Sequence, residues 1–201
     1  MSRDSRIKRE RGGFVTLALD PVEAAIIRDA FADLLELLGD PAGPADVPGE
    51  IEFAPGVTDP FSAAEAGPTS APTDPALARL LPDAYNDDVE AAAEFRRFTE
   101  RDIVAGKQAN VRALLESLRQ AAEVTPETRG EPHRVRLGPA ALRAWLHALN
   151  DLRLALGSRL EIEDGYEEEI AGMAVDDPRL PHYALYEWLT GLQDALVRTA
   201  L

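Results

Sequence analysis

The chain contains no cysteine. Disulfides, zinc–thiolate sites and thiol redox chemistry are thereby excluded from it. Long apolar runs are missing as well. No window reaches the roughly 18 consecutive apolar residues of a membrane-spanning helix, so no membrane contact of that kind is expected. The opening stretch MSRDSRIKRERGG lacks the apolar core of a secretory signal, which makes the cytoplasm the expected compartment. The sequence has no phosphate-binding Walker loop, no GxGxxG after a strand, no HExxH and no GxSxG. His133, His147 and His182 are the three histidines. None has a second histidine or a carboxylate at metal-ligand spacing on its helix face. The run Glu167, Glu168, Glu169 lacks the alternating ligand order of a calcium loop. No serine is coupled in sequence to a histidine as a nucleophile would be. No enzyme, cofactor or metal site is therefore expected.

Basic residues are also scarce. Lys and Arg total 21 against 36 Asp and Glu, for a net charge of −15. The few cations are unevenly placed: residues 1–11 hold five basic groups and two acidic ones. An acidic body repels phosphate, so direct DNA binding is expected only through this basic arm, residues 1–12, itself expected to be flexible.

What is present is helix. Residues 135–162 form the clearest unit. A short alternating run leads to Gly138-Pro139, and Pro at the first helical position fits its fixed φ and missing N–H. Leu142, Trp145, Leu149, Leu152, Leu156 and Leu160 then recur at spacings of 3 and 4, one stripe of an amphipathic helix. His147, Asn150, Asp151 and Ser158 make the opposite stripe. Leu154 interrupts that polar side, and Arg153 falls beside Leu142 and Leu146.

Residues 14–19, FVTLAL, alternate as a strand does. Asp20-Pro21-Val22-Glu23 follows with a capping residue, Pro at N1 and a Glu placed to close a capping box. The helix it opens carries Ile27, Ala30, Phe31, Leu34 and Leu38 and stops at Gly39. Residues 39–75 hold eight prolines and no sustained period. Such a segment buries too little apolar area to offset its ordering entropy, so residues 40–74 are expected to be a disordered insertion, with Ile51, Phe53 and Phe61 as weak docking points. A short helix follows over 76–81. The next begins near Asp87, and Thr99 with Asp102 predicts a second cap that splits it. Beyond that, Val104, Val111, Leu114, Leu115 and Leu118 point inward, and Lys107 shares their face. Residues 133–137 repeat the alternating pattern. Residues 161–178 read as an acidic loop, with eight acidic and no basic residues over 161–177. The last helix, 182–200, is apolar over half its circumference, which predicts a central position between other helices.

An internal echo is visible. At an offset of 118, Leu19 and Leu137, Pro21 and Pro139, Ala30 and Ala148, Leu34 and Leu152, and Gly39 and Gly157 coincide. Both segments run strand, Pro, long helix, Gly. The two strands are expected to pair, since each alone leaves its backbone groups unsatisfied.

The polar residues on core helices are the remaining candidates: Lys107, Asn150, Asp151, Arg153 and Gln193. They make either a mutually satisfied clamp that fixes helix register, with Arg153 on a carboxylate, or a ligand site in a cleft. Leu154 marks a protein-contact surface if it is exposed.

Four strings carry a family likeness: ALNDLRLALGSRLEI, ALYEWLTGLQDALV, RLLPDAY and DPVEAAIIRDAFADLLELL. Together they resemble an actinobacterial domain-of-unknown-function family that contains the oxidative stress transcription regulator AosR. The resemblance covers both ends and the middle of the chain. It implies a helical regulator that contacts a stress sigma factor, and thereby RNA polymerase, and adds Tyr186 and Trp188 to the candidate contact residues. An adaptor role and a small-ligand-binding helical module are the alternatives, and a homodimer is possible. Regulation of AosR is linked to cysteines, so thiol sensing does not carry over. The expected architecture is one mostly α-helical domain spanning 1–201, with five or six helices and a small two-stranded β element.

Overall fold

The computed structural model describes residues 6–39, 67–124 and 131–200. Most of the Pro-rich insertion, with Ile51, Phe53 and Phe61, lies outside them. Among the described residues the fold is mostly α-helical, with six α-helices and a small antiparallel sheet. The helices are α1 (Pro21–Leu37), α2 (Pro75–Leu80), α3 (Val89–Val124), α4 (Pro139–Arg159), α5 (Tyr166–Gly172) and α6 (Leu180–Ala200).

Cap chemistry starts α1 and α2 where local rules predict. The Asp20 side chain accepts from the backbone N–H groups of Val22 (2.9 Å) and Glu23 (2.8 Å), and Glu23 accepts from Asp20 N–H (3.0 Å), which closes the capping box of α1. Asp74 caps α2 through Ala76 N–H at 2.9 Å and Leu77 N–H at 3.1 Å, and also accepts from Arg159 at 2.6 Å. These bonds, the backbone one from Leu77 foremost, hold the Asp74 carboxyl below its ordinary pKa. A depressed carboxylate contributes stability in full above its unfolded value, about 3.9, and loses it as pH falls through the lower folded value. Acid titration followed by circular dichroism is therefore expected to show a smaller loss as pH falls below about 4 in Asp74→Asn, which keeps a cap acceptor without the charge.

The strands are β1 (Ile7–Arg9), β2 (Val15–Leu19) and β3 (His133–Leu137), in the order β1-β2-β3. β2 pairs antiparallel with β3, as the echo predicts, placing Leu17 opposite Val135. The same two residues match at the offset of 118, so the register turns one strand–helix unit onto the other about this pair. The sheet has one strand more than expected. β1 comes from the basic arm and pairs Ile7 with Leu17. Ile7 reaches the core, and Arg6 forms an ion pair with Glu23, so residues 7–9 are strand rather than flexible arm.

Two further elements differ from expectation. α3 runs unbroken for 36 residues, about 54 Å at helical rise. Thr99 does not cap; its hydroxyl donates to Phe95 O at 2.8 Å, inside the helix, and the Arg96–Glu100 pair spans the same turn. Arg96 also donates to Leu81 O (3.0 Å) and Asp83 (2.7 Å), fixing the turn after α2. The acidic stretch contains α5. Three glutamates fill its first turn, where the helix dipole favours them. Tyr166 anchors it by stacking on Tyr183 at 6.4 Å and donating its hydroxyl to Glu187. That bond and burial keep the phenol protonated well above its ordinary pKa.

α4 lies at the centre. Trp145, Leu149 and Ala148 are fully buried, against Phe31 and Leu34 of α1, Val111 and Leu114 of α3, and Leu189 and Leu196 of α6.

A candidate protein-contact groove

α4 turns at about 100° per residue, so Asp151 and Arg153 lie some 200° apart around it. They consequently serve different neighbours. Asp151 is 5% exposed and accepts from Lys107 Nζ of α3 at 2.7 Å. Arg153 reaches α6, donating to Thr190 Oγ1 at 2.9 Å and Gln193 Oε1 at 2.7 Å, with its guanidinium 5.5 Å from the Tyr186 ring centre. Gln193 in turn donates to Leu146 O at 3.4 Å. The partners of Arg153 are a hydroxyl and an amide in place of the expected carboxylate. The nearby acids of α6 are otherwise engaged: Glu187 by Tyr166 and Asp194 by Arg198. Lys107 and Arg153 do not line one cleft. Leu154 is half-buried against the core, and Asn150 is exposed.

α6 departs from the expectation that its apolar breadth means a central position. Tyr183, Leu189, Leu192 and Leu196 are buried, but Leu185, Tyr186 and Trp188 are half-buried and Val197 is exposed. Leu185 and Trp188 face α1, where Ile26 is 47% exposed and Val22, one turn earlier, is 68% exposed. Between these helices lies a groove with α4 as its floor. One cavity of about 380 Å³ lies between Ile26 and the Pro181, Leu185 and Trp188 side chains. Ile26 and Leu185 also border the next, of about 450 Å³, floored by Leu152, Ala155 and Leu156. Glu23 and Trp188 are shared with a third, about 280 Å³, between α6 and the sheet edge. Glu23, Asp29 and Asp33 line the α1 rim; Arg159 and His182 face them. From Glu23 to Leu37 this rim is about 21 Å long, the span of four turns of a bound helix.

The groove was not foreseen, although a signal existed: Val22 and Ile26 are apolar residues off the α1 core stripe. A second apolar surface lies at the start of α3, where Phe98 is 68% and Tyr85 51% exposed. Among the described residues, no three His, Asp or Glu side chains converge as a metal site requires, and no helix is long and apolar enough to cross a membrane.

The chain has relatives among known proteins. Residues 4–200 match the family described as "Domain of unknown function (DUF2017)". The chain belongs to this family. Its members include oxidative stress regulators named AosR. The Mycobacterium tuberculosis protein is 31% identical over 210 residues, covering 97% of this chain and 86% of the relative. The Mycobacterium bovis protein gives the same values, and the Mycobacterium leprae AosR protein is 33% identical over 207 residues, covering 96% and 85%. No solved structure matches the chain. These relatives are named for a regulatory role in the oxidative stress response.

Proposed function

We propose that this chain is a non-catalytic, cytoplasmic regulator of the stress response that acts by protein contact, and that its partner is a sigma factor bound to RNA polymerase. The observation that carries the proposal is the open groove between α1 and α6. Its floor is apolar, its α1 rim is acidic, and its length suits an amphipathic helix that turns a basic flank to α1. Trp188 stands at the meeting of two of its cavities, as a buried anchor of an interface does. The names of the relatives support the regulatory part. Thiol oxidation is not the signal, because the chain has no cysteine.

The test is capture of purified RNA polymerase holoenzymes, each carrying a different sigma factor, on the immobilised full chain. One holoenzyme is expected to be retained. Ile26→Asp and Leu185→Asp are expected to weaken that retention at least about tenfold, since each puts a charge into a desolvated contact worth more than 1.4 kcal/mol. Phe98→Asp, on the second apolar surface, is expected to leave it unchanged. No holoenzyme retained under any condition overturns the sigma-factor reading. Loss with Phe98→Asp alone would move the contact to the other surface.

A further inference from the structure

The outer face of the sheet carries a charge opposite to that of the rest of the molecule. Val15, Leu17, Leu19, Val135 and Leu137 turn to the core, so Thr16, Ala18, Arg134 and Arg136 turn outward. The register sets Lys8 of β1 beside Thr16, and Thr16 beside Arg136. Arg134 lies on the next rung, opposite Ala18. The central strand thus presents only small side chains, and the long cations of the two flanking strands rise on either side of it, about 10 Å apart at sheet spacing. Residues 6–11 and 133–137 contain six basic groups and one acidic one, in a chain of net charge −15.

The one acid, Glu10, is already committed. It accepts from Arg136 Nε at 2.8 Å and from the Thr16 hydroxyl. Arg136 is further fixed by lying over Phe14, its guanidinium carbon 3.8 Å from the ring centre. Among the described residues Lys8 and Arg134 have no ion-pair partner and are exposed. Strands hold them, so little backbone ordering remains to be lost on binding.

We propose that this face binds the phosphate backbone of a duplex nucleic acid, independently of the groove. An acidic protein segment is the competing polyanion. Protein interfaces are built on a desolvated apolar centre, and the centre of this face is Thr16 and Ala18, which offer none. Backbone phosphates need only an array of cations, and contacts of that kind carry no sequence information.

The test is fluorescence anisotropy of the full chain with a labelled mixed-sequence DNA duplex of about 20 base pairs at about 50 mM salt. Binding is expected, weakening with added salt. Lys8→Glu combined with Arg134→Glu is expected to lower affinity at least about tenfold and to flatten the salt slope by about two phosphate contacts. Arg28→Glu combined with Arg198→Glu makes the same change in net charge on exposed helical sites and is expected to have little effect. Circular dichroism confirms that both variants fold. No binding of the parent chain, or equal losses in the two variants, overturns the proposal. Tighter binding of a poly-glutamate peptide than of DNA overturns it in favour of an acidic protein.

Discussion

Replacing Trp145 by alanine is expected to lower stability by about 3–5 kcal/mol. Trp145 is fully buried in the seam between α4 and α3. Its indole N–H donates to Ser117 Oγ at 2.9 Å, and that hydroxyl donates to Leu114 O at 2.7 Å. Alanine removes the ring and leaves a cavity that surrounding helices only partly close. It also leaves the Ser117 hydroxyl short of a partner. Trp145→Phe keeps most of the apolar area and is expected to cost much less, about 1–2 kcal/mol, from the lost hydrogen bond and the smaller ring. Urea denaturation followed by circular dichroism measures both. A shift for Trp145→Ala as small as that for Trp145→Phe would show that the seam repacks and is not rigid.

The second large effect lies on the other side of α4. Lys107→Met is expected to cost about 3 kcal/mol, because it leaves the Asp151 side chain, 7% exposed, without its partner. The 19% exposure of the Lys107 side chain places the estimate at the low end for a broken buried pair. Joining Asp151→Leu to Lys107→Met is expected to recover most of the loss, since two apolar groups of similar size satisfy the same contact without desolvated charge. The double-mutant cycle then yields a coupling of about 2 kcal/mol or more. Simple addition of the two single losses would show that the pair does not act as a clamp between α3 and α4.

How much of this was legible depends on the range of the interaction. The starts of α1, α2 and α4 follow from Asp20-Pro21, Asp74-Pro75 and Gly138-Pro139, where the deciding contacts lie within a few residues. The β2–β3 pairing followed from the echo between two halves. β1 was not legible, because only Ile7 of its three residues faces inward and no alternation marks it; the strand exists through hydrogen bonds to β2. Thr99 carried a cap signal that its own helix absorbed. The polar residues of α4 stand out in the sequence as misfits, but the helix period alone could have separated Asp151 from Arg153. α6 misled most. An apolar half-circumference implies cover, and nothing local distinguishes cover by the same chain from cover by a partner.

The β2–β3 pair has a consequence for synthesis. β2 is complete at Leu19, but its partner ends at Leu137, 118 residues later. At a ribosomal rate of about 5–20 residues per second, the nascent sheet waits about 6–24 s for its third strand. Throughout that interval the edge of β2 and the apolar side of α1 lack their final partners, a state prone to wrong strand pairing. The Pro-rich insertion lengthens the wait, while the entropy of closing the longer loop rises only logarithmically. Lengthening that insertion therefore burdens the birth of the protein far more than its finished stability.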